Sequence, residues 1–318
     1  MSFVAEKNLG HLAIVTAVYK ADLKNVMSLL FDDPELATKT YRFSTFLPDT
    51  HFGRTSGSLL HLACHELAHL GPESLPDLIK IANLLVYQGN HVDTLDSSDN
   101  PPLFWALNSR NPSMVVFLLS KGANPEQMCA GVHTALSYAC SHGYYEMVDV
   151  LIKHGVNVNY LVQDTASCLY MATSTEMVKA LLDAGADPNI GLSPIGTPSL
   201  TCEAFALMLE KGLNINRVYK KNLGLHMLLS SFPNIPVLHM LLRLANVDVT
   251  TVNEHGRTAA QMIMAKIKAI QLPDAPSLEM VKSDANGGGK QYTRWEKDYI
   301  STKEAREKWE TALDLCLK

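Results

Sequence analysis

A leucine-rich segment that ends in glycine recurs along this chain. Gly89, Gly122 and Gly155 follow one another every 33 residues. Their segments read LLVYQGNHVD (84–93), LLSKGANPE (118–126) and LIKHGVNVN (151–159). The series continues at shorter spacings in LLDAGADPN (181–189) and MLEKGLNIN (208–216). Its last member, LLRLANVDV (241–249), has Asn246 in the place of glycine. A fixed period of roughly 20–50 residues predicts an array of stacked repeats.

Each repeat of this array is predicted to contain two helices. The apolar residues close one helix, and glycine supplies the positive φ that ends it. A second pattern opens the next helix, with a capping residue followed by Leu and Ala on one apolar stripe. It reads SLLHLA (58–63), PPLFWA (101–106), TALSYA (134–139), SCLYMA (167–172) and RTAAQM (257–262).

These two patterns together resemble the ankyrin repeat. The best match is GVHTALSYACSHGYYEMVDVLIKHGVNVN (131–159), and the last unit keeps Asn253, Gly256 and Thr258. The family positions within 131–159 are filled by Thr134, Leu136, Ala139, Gly143, Val148, Leu151, Gly155 and Asn159. The resemblance implies an all-α fold, an ankyrin-repeat solenoid of stacked helix-turn-helix units with finger loops, plus a C-terminal helix.

The sequence predicts three parts. Residues 1–270 form the repeat array, with an atypical N-terminal unit, an insertion at about 64–80 and a longer finger loop at 189–200. Residues 271–290 carry Pro and Gly and form a flexible loop. Residues 291–318 form an amphipathic helix, whose larger apolar residues are Trp295, Tyr299, Trp309, Leu313 and Cys316. This helix either caps the last repeat or serves as a partner-binding or export segment.

One short segment carries a possible catalytic motif. HELAH (65–69) matches the H-E-x-x-H pattern of zinc peptidases, which on a helix places His65 and His69 on one face with Glu66 as a general base. Neither a metzincin histidine nor a glutamate on the following helix supplies a third ligand. When the segment is aligned with the repeat pattern, His61 falls at a position that makes hydrogen bonds within the repeat. The inner helix is then expected to continue through His69. We therefore expect no metal and no cofactor.

Composition argues against other classes of function. The net charge of −5 gives no support to nucleic-acid binding. The longest apolar runs are far shorter than a membrane span, so no membrane insertion is expected. The six cysteines form no C-x-x-C pair, which predicts reduced thiols in a cytoplasmic protein. Glycine-rich phosphate loops and G-x-S-x-G elbows are absent from the sequence.

The family resemblance implies a non-enzymatic scaffold or adaptor that binds a protein partner in its concave groove. The variable positions of the family, carried over to this chain, give a polar, histidine-rich face. Its members are Arg54, Thr55, His65, Glu66, Ser97, Ser98, Asn100, Asn108, Ser109, His133, Ser141, His142, Tyr144, Gln163, Asp164 and Thr173. Five aromatic residues are either partner anchors or core, namely Trp105, Tyr138, Tyr144, Tyr145 and Tyr170.

Two further interpretations follow. The irregular repeats and polar C-terminal helix are similar to ankyrin effectors secreted by intracellular bacteria, which would place the protein in the host-cell cytosol. The alternative from another functional class is a hydrolase grafted onto the repeats. Its site would be zinc-dependent at HELAH or thiol-dependent.

Overall fold

The computed structural model describes most of the chain. The described residues are 2–43, 55–65, 72–129, 131–197, 200–219, 222–230, 235–242, 247–269, 302–311 and 313–314. The chain divides into two compact units, Met1–Asp164 and Thr165–Lys318. The predicted three-part division stays a prediction, because most of the predicted loop and part of the last helix lie outside the described residues.

Both units are built from helices. Unit 1 contains α1 (Ser2–Tyr19), α2 (Leu23–Asp32), α3 (Leu59–Cys64), α4 (Leu75–Tyr87), α5 (Pro102–Asn108), α6 (Pro112–Ser120), α7 (Ala135–Ser141) and α8 (Tyr145–Lys153). Unit 2 contains α9 (Cys168–Met171), α10 (Thr175–Asp183), α11 (Cys202–Glu210), α12 (Gly224–Ser230), α13 (Ile235–Leu242), α14 (Ala259–Ala269) and α15 (302–311). The predicted all-α fold class is confirmed.

Successive helices of unit 1 pack as pairs within each repeat. α1 packs on α2, α3 on α4, α5 on α6 and α7 on α8. The first helices of the pairs also pack on one another along the unit, from α1 to α3, α5 and α7. We call these the inner helices and α2, α4, α6 and α8 the outer helices. The atypical N-terminal unit predicted from the sequence is therefore a complete helix pair.

Local sequence signals set the ends of these helices. The Thr134 hydroxyl accepts a hydrogen bond from Ser137 N, and the Ser137 hydroxyl accepts one from Thr134 N at 2.9 Å. Asn111 caps α6 through its Oδ1, which accepts from Met114 N at 3.0 Å. After the outer helices, Gly122 and Gly155 adopt φ values of +86° and +73°. Both the caps and the glycine stops fall where the repeat pattern predicts them.

The core of each pair consists of the apolar stripes of its two helices. In the best-matching repeat α7 packs on α8, and Leu136 of α7 and Met147, Val148 and Leu151 of α8 are all buried. Burial of a side chain of this size contributes about 1.5–3 kcal/mol. Because one repeat buries only one side of each helix, neighbouring repeats must cover the rest.

Asparagine and acidic side chains join the finger loops of successive repeats. Asn124 N donates to Asp93 Oδ1 at 2.9 Å, and Asn157 N donates to Glu126 Oε1 at 3.1 Å. In unit 2 Asn214 N donates to Asn189 Oδ1 at 2.7 Å. These bonds satisfy backbone groups that a loop would otherwise leave to water, and they fix the spacing between repeats.

Two small hairpins accompany the helices. β1 (Tyr41–Arg42) pairs antiparallel with β2 (Ser56–Gly57) just before α3. β3 (Val218–Tyr219) pairs antiparallel with β4 (Asn222–Leu223) just before α12. The first hairpin leads the chain into the inner helix α3, and the second leads it into α12.

Unit 2 departs from the regular pattern. The inner helix α9 has only four residues, and the next inner position is filled by a 3-10 turn at Pro194–Gly196 instead of an α-helix. Ile195 is fully buried there, and the turn packs against α9 and α12. The prediction of a longer finger loop at 189–200 therefore does not hold at residues 194–196, where burial of Ile195 brings the chain inward. Residues 198–199 lie outside the described part of the chain.

The C-terminal region is described only at 302–311 and 313–314. Residues 302–311 are helical, as the sequence predicts for this stretch, and Trp309 is buried. Glu304 and Glu307 share a shallow cavity with Pro236 of α13. This placement favours the capping interpretation of the helix. Trp295, Tyr299 and Cys316 lie outside the described residues, and so does Asn246.

Candidate protein-binding surface

Residues of α5 and α7 and of the loops beside them form a cluster of aromatic rings with one arginine. We call it the tyrosine–histidine cluster and define it as Phe104, Arg110, His133, Tyr138, His142 and Tyr144. All six residues belong to unit 1 and come from two successive repeats. His142 and Arg110 are exposed, whereas the other members are half-buried or buried.

Tyr138 lies at the centre of the cluster and joins the two repeats. Its ring meets Phe104 of α5 edge-to-face at a centroid distance of 4.8 Å. Its hydroxyl donates to Asn108 Oδ1 at 2.9 Å. Burial raises the pKa of this hydroxyl, and the neighbouring Tyr144 raises it further. Tyr138 therefore stays protonated and donates a hydrogen bond, and contacts with α5 fix both its ring and its hydroxyl.

His142 stacks on Tyr138, with ring centroids 4.0 Å apart and an interplanar angle of 28°. Its Nδ1 lies 3.0 Å from the Tyr138 carbonyl oxygen and 2.9 Å from Ser141 Oγ. Because a carbonyl oxygen only accepts, this geometry favours the proton on Nδ1. Nε2 makes no hydrogen bond within the described part of the chain. The histidine thus offers one ring nitrogen to a partner.

Tyr144 and Arg110 complete the exposed side of the cluster. The Tyr144 ring lies 6.1 Å from Tyr138 and 5.6 Å from His142. The Arg110 guanidinium carbon is 4.5 Å from the centroid of the Tyr144 ring, within the range of a cation–π contact. The contact brings a residue that follows α5 against one that precedes α8.

His133 closes the cluster on the finger-loop side. Its ring is 6.1 Å from Tyr138, and its Nδ1 is 3.4 Å from Ser137 Oγ. Burial lowers the pKa of His133, and the positive charge that His142 can carry lowers it further. His133 is therefore neutral at neutral pH.

Arg110 adopts a backbone conformation that is unusual for its side chain. Its φ is +51°, in the left-handed region. The equivalent position holds Gly143 in the next repeat, with φ +71°, and Ala21 in the first, with φ +52°. The left-handed turn is thus a property of the repeat, and a guanidinium is the feature particular to this one. A non-glycine residue in this region costs on the order of 1 kcal/mol or more.

Comparison with known proteins agrees with the helix pairs. Residues 60–162 and 126–191 match the family model described as ankyrin repeats (3 copies). This chain contains ankyrin repeats. The recognition made from the repeat pattern is confirmed, and the tyrosine–histidine cluster lies wholly within the matched residues. Ankyrin repeats are generally protein–protein interaction modules, and their family is typically non-enzymatic.

Relatives share the repeats over part of their length. Ankyrin repeat family A protein 2 of Mus musculus is 34% identical over 105 residues, or 32% of this chain and 32% of that protein. The E3 ubiquitin-protein ligase KEG of Arabidopsis thaliana is 28% identical over 141 residues, or 43% of this chain and 8% of that protein. The chain thus spans at most about a third of either relative.

A solved structure supports the fold. The ankyrin repeat domain of Bcl-3, described as a unique member of the IkappaB protein family, aligns with a TM-score of 0.50 at 20% identity. The alignment covers 79% of this chain and 92% of that one. Among the described helices of this chain, none is long and apolar enough to cross a membrane.

The structure brings five of the sequence-predicted site residues together at or beside the cluster. They are Asn108, His133, Ser141, His142 and Tyr144. Ser97 and Ser98 lie on another finger loop, where Ser97 Oγ accepts from Ser56 N at 2.9 Å. Gln163, Asp164 and Thr173 are exposed but have no described contact with the cluster. Arg54 and Glu66 lie outside the described residues.

Three predicted site residues are buried, so the expectation that their side chains face a partner is wrong. Thr55, Asn100 and Ser109 are each less than 9% exposed. Asn100 N donates to Asp96 Oδ1, and its carbonyl oxygen accepts from His61 Nε2 at 3.1 Å. These positions vary in the repeat pattern, but here packing between neighbouring repeats covers them.

The aromatic candidates divide between core and surface. Trp105 is fully buried, and its Nε1 donates to Asp96 Oδ2 at 2.8 Å. Tyr138 is 8% exposed, and Tyr170 is half-buried. Tyr145 is 47% exposed on α8. Trp105 is therefore a core residue, whereas Tyr138 supports the neighbouring ring of Tyr144.

Sequence reasoning missed Phe104 and Arg110. Phe104 occupies the position that His61 takes in an earlier repeat, so the pattern alone assigns it to structure. Arg110 replaces the glycine of the repeat, and this departure from the pattern is the signal that could have identified it. Its contact with Tyr144 depends on how two repeats pack together.

The HELAH segment is described only at its first residue. α3 ends at Cys64, and His65 is extended, with φ −78° and ψ 133°. The prediction that the inner helix continues through His69 is therefore wrong at His65, whose ring instead packs edge-on against Trp105 at 5.7 Å. Within the described residues no three His, Cys, Asp or Glu side chains are grouped to hold a metal. Glu66 and His69 lie outside those residues.

His61 has a structural role, as the repeat frame predicts. Its Nδ1 accepts from Ser58 N at 3.1 Å, and its Nε2 donates to the Asn100 carbonyl oxygen at 3.1 Å. Complete burial lowers the pKa of this imidazole, so it stays neutral. Burial likewise raises the pKa of the Cys129 thiol to about 12 and raises that of Cys64 further. Buried neutral thiols of this kind are poor nucleophiles.

Proposed function

We propose that this chain is a non-enzymatic adaptor or scaffold that binds a protein partner through the tyrosine–histidine cluster, on the inner-helix side of its repeats. The observation that carries the proposal is the continuous packing of Tyr138, His142, Tyr144 and Arg110 across two repeats. Tyrosine and arginine are the residue types that most often dominate binding energy at protein interfaces.

The rigidity of the cluster supports this role. Tyr138 is fixed by Phe104 and Asn108, and His142 is fixed by Tyr138 and Ser141. Ordering a mobile side chain on binding costs about 0.5–1.5 kcal/mol, and a surface that is already ordered avoids this cost. A partner would therefore meet preformed aromatic contacts.

The hydrolase alternative has no support among the described residues. The buried thiols of Cys64 and Cys129 disfavour a cysteine nucleophile, and His65 is turned against Trp105. Assignment to a secreted effector, and with it the host-cell cytosol, stays a prediction from the sequence. Neither a location nor an origin is needed for partner binding at the cluster.

Site-specific photocross-linking tests the proposal. p-Benzoylphenylalanine replaces Tyr144 in one sample and Tyr87 in the other, and both are irradiated in a lysate of the source cells. Tyr87 is the matched control, because it is 86% exposed on the outer helix α4. We expect a discrete protein adduct from position 144 that position 87 does not give, and that His142→Ala weakens. Equal adducts from both positions, or none from position 144, would contradict the proposal.

A further inference from the structure

Arg110 carries a positive charge that no described acidic side chain neutralises. Its guanidinium contacts the Tyr144 ring and acts electrostatically on Tyr138, and it makes no salt bridge within the described residues. In the same unit Lys39, Lys80 and Lys153 each lie within 4 Å of a carboxylate, whereas Lys20, Lys24, Arg42 and Lys121, like Arg110, form no ion pair within the described residues. The exposed guanidinium can therefore form a salt bridge with an acidic group of a partner.

The N–H donors of Arg110 form no hydrogen bond within the described residues, and its guanidinium carbon lies 4.5 Å from the Tyr144 ring centroid. A guanidinium placed over an aromatic ring uses its flat face for the contact. Its N–H donors lie in the plane of the group and can form two parallel hydrogen bonds with a carboxylate. Tyr144 thus holds the guanidinium at a defined place, while its donors remain available.

The surroundings also favour a negatively charged ligand. His142 is exposed beside Tyr144, and its Nε2 is without a hydrogen bond in the described part of the chain. In the preceding finger loop the carboxylate of Asp96 is buried and accepts from Ser98 N, Asn100 N and Trp105 Nε1. Glu146, in the first turn of α8, makes no described ion pair with Arg110. An incoming anion would face a cation, an imidazole and phenol rings.

We propose that the partner segment that docks on the tyrosine–histidine cluster presents an aspartate or glutamate side chain to Arg110, with His142 beside it. This inference rests on the proposed function and adds the chemistry of the bound residue. A carboxylate fits better than a phosphate group, because phosphate recognition ordinarily draws on a cluster of arginines. Within the cluster Arg110 is the single arginine.

A peptide library tests both statements with one probe. The full chain is immobilised and panned against a phage-displayed library of random dodecapeptides, and the enriched peptides are synthesised. Their affinities are measured for the wild type and for Arg110→Ala, Arg110→Glu, Tyr144→Ala and Lys121→Glu. Lys121→Glu is the matched control, because Lys121 lies over Phe117 in the same repeat but at the end of the outer helix α6.

We expect the enriched peptides to share an Asp or Glu at one position. Changing that residue to Gln or Asn should weaken binding at least tenfold, and so should Arg110→Ala. The Arg110→Glu variant should not bind the acidic peptide but should bind a variant peptide that has Lys at the same position. The control Lys121→Glu should change the affinity for the acidic peptide less than twofold. This pattern supports the proposal.

The two proposals fail in different ways. Peptides that lose affinity with Tyr144→Ala, but carry no shared acidic residue and are indifferent to Arg110→Ala, would overturn the carboxylate inference and leave binding at the cluster intact. Peptides indifferent to both substitutions, or a library from which none is enriched, would count against both proposals. Melting temperatures of all variants identify any loss that comes from unfolding.

Discussion

The guanidinium carbon of Arg110 lies 4.5 Å from the centroid of the Tyr144 ring. In the next repeat, 33 residues further along, the position equivalent to Arg110 is Gly143. Glycine adopts the left-handed backbone conformation of this position freely, whereas arginine adopts it at a conformational cost. What arginine adds is a fixed positive charge beside aromatic rings. Such an arrangement suits the proposed binding surface.

Arg110→Gly should separate stability from binding. Removing the left-handed strain stabilises the fold by about 1 kcal/mol, and losing the cation–π contact costs about 0.5–1 kcal/mol. We therefore expect the melting temperature to stay within about 2 °C of the wild type. Affinity for an acidic peptide that the cluster binds should fall at least tenfold. A large drop in melting temperature would show that Arg110 is needed for the fold.

Tyr138→Phe should weaken the contact between two repeats while leaving the ring packing intact. The substitution removes the hydroxyl that donates to Asn108 Oδ1, a bond worth about 1 kcal/mol. We expect the melting temperature in calorimetry to fall by roughly 2 °C. Tyr145→Phe is the control, because that side chain is exposed and none of its described contacts joins two repeats. Equal effects of the two substitutions would contradict the structural role of the Tyr138 hydroxyl.

Stability should fall in acid because of His61. Its pKa is lowered in the folded state, so below about pH 6.5 the unfolded chain binds a proton that the folded chain does not. The contribution of the neutral imidazole is therefore fully present above that pH and is lost as the pH decreases. Urea unfolding at pH 7.5 and 5.0 should give a smaller free energy of unfolding at the lower pH.

His61→Gln is the informative variant for this pH dependence. It should be less stable than the wild type at pH 7.5, because a buried hydrogen-bonded ring is lost, but its stability should change less between the two pH values. His154→Gln is the control, since His154 is exposed at the end of α8. If His61→Gln keeps the full pH dependence, another group is responsible, such as the buried His226, whose pKa is also lowered.

Asn189→Ala should destabilise unit 2 more than an equivalent change in another finger loop. Its Oδ1 accepts from Asn214 N at 2.7 Å, and its Nδ2 donates to the Gly212 carbonyl oxygen at 2.9 Å. Both partners belong to the next repeat, so we expect a loss of about 1–2 kcal/mol in chemical denaturation. Asn157→Ala is the control, because the Asn157 side chain bonds only locally, to Asn159 N. If Asn157→Ala lowers the free energy of unfolding as much as Asn189→Ala does, the hydrogen bonds between finger loops do not explain the loss.

The sequence by itself determined the helix pairs of this protein. Helix ends are local events: Thr134 caps α7 through residues within its own turn, and Gly155 ends α8 through its own φ. Because these signals recur at a fixed spacing, they also determine that successive units stack. The predicted positions of Asn108, His133, His142 and Tyr144 beside one another follow from the same spacing.

Tertiary structure decided the features that join one repeat to the next. Asn100 is buried and Arg110 lies over Tyr144, because neighbouring repeats approach at distances that a single unit does not encode. The same holds for residues 194–196, where burial of Ile195 replaces an expected loop with a 3-10 turn. Helix ends depend on a few adjacent residues, whereas burial and ring contacts depend on side chains about 30 positions away, which a repeat pattern places only approximately.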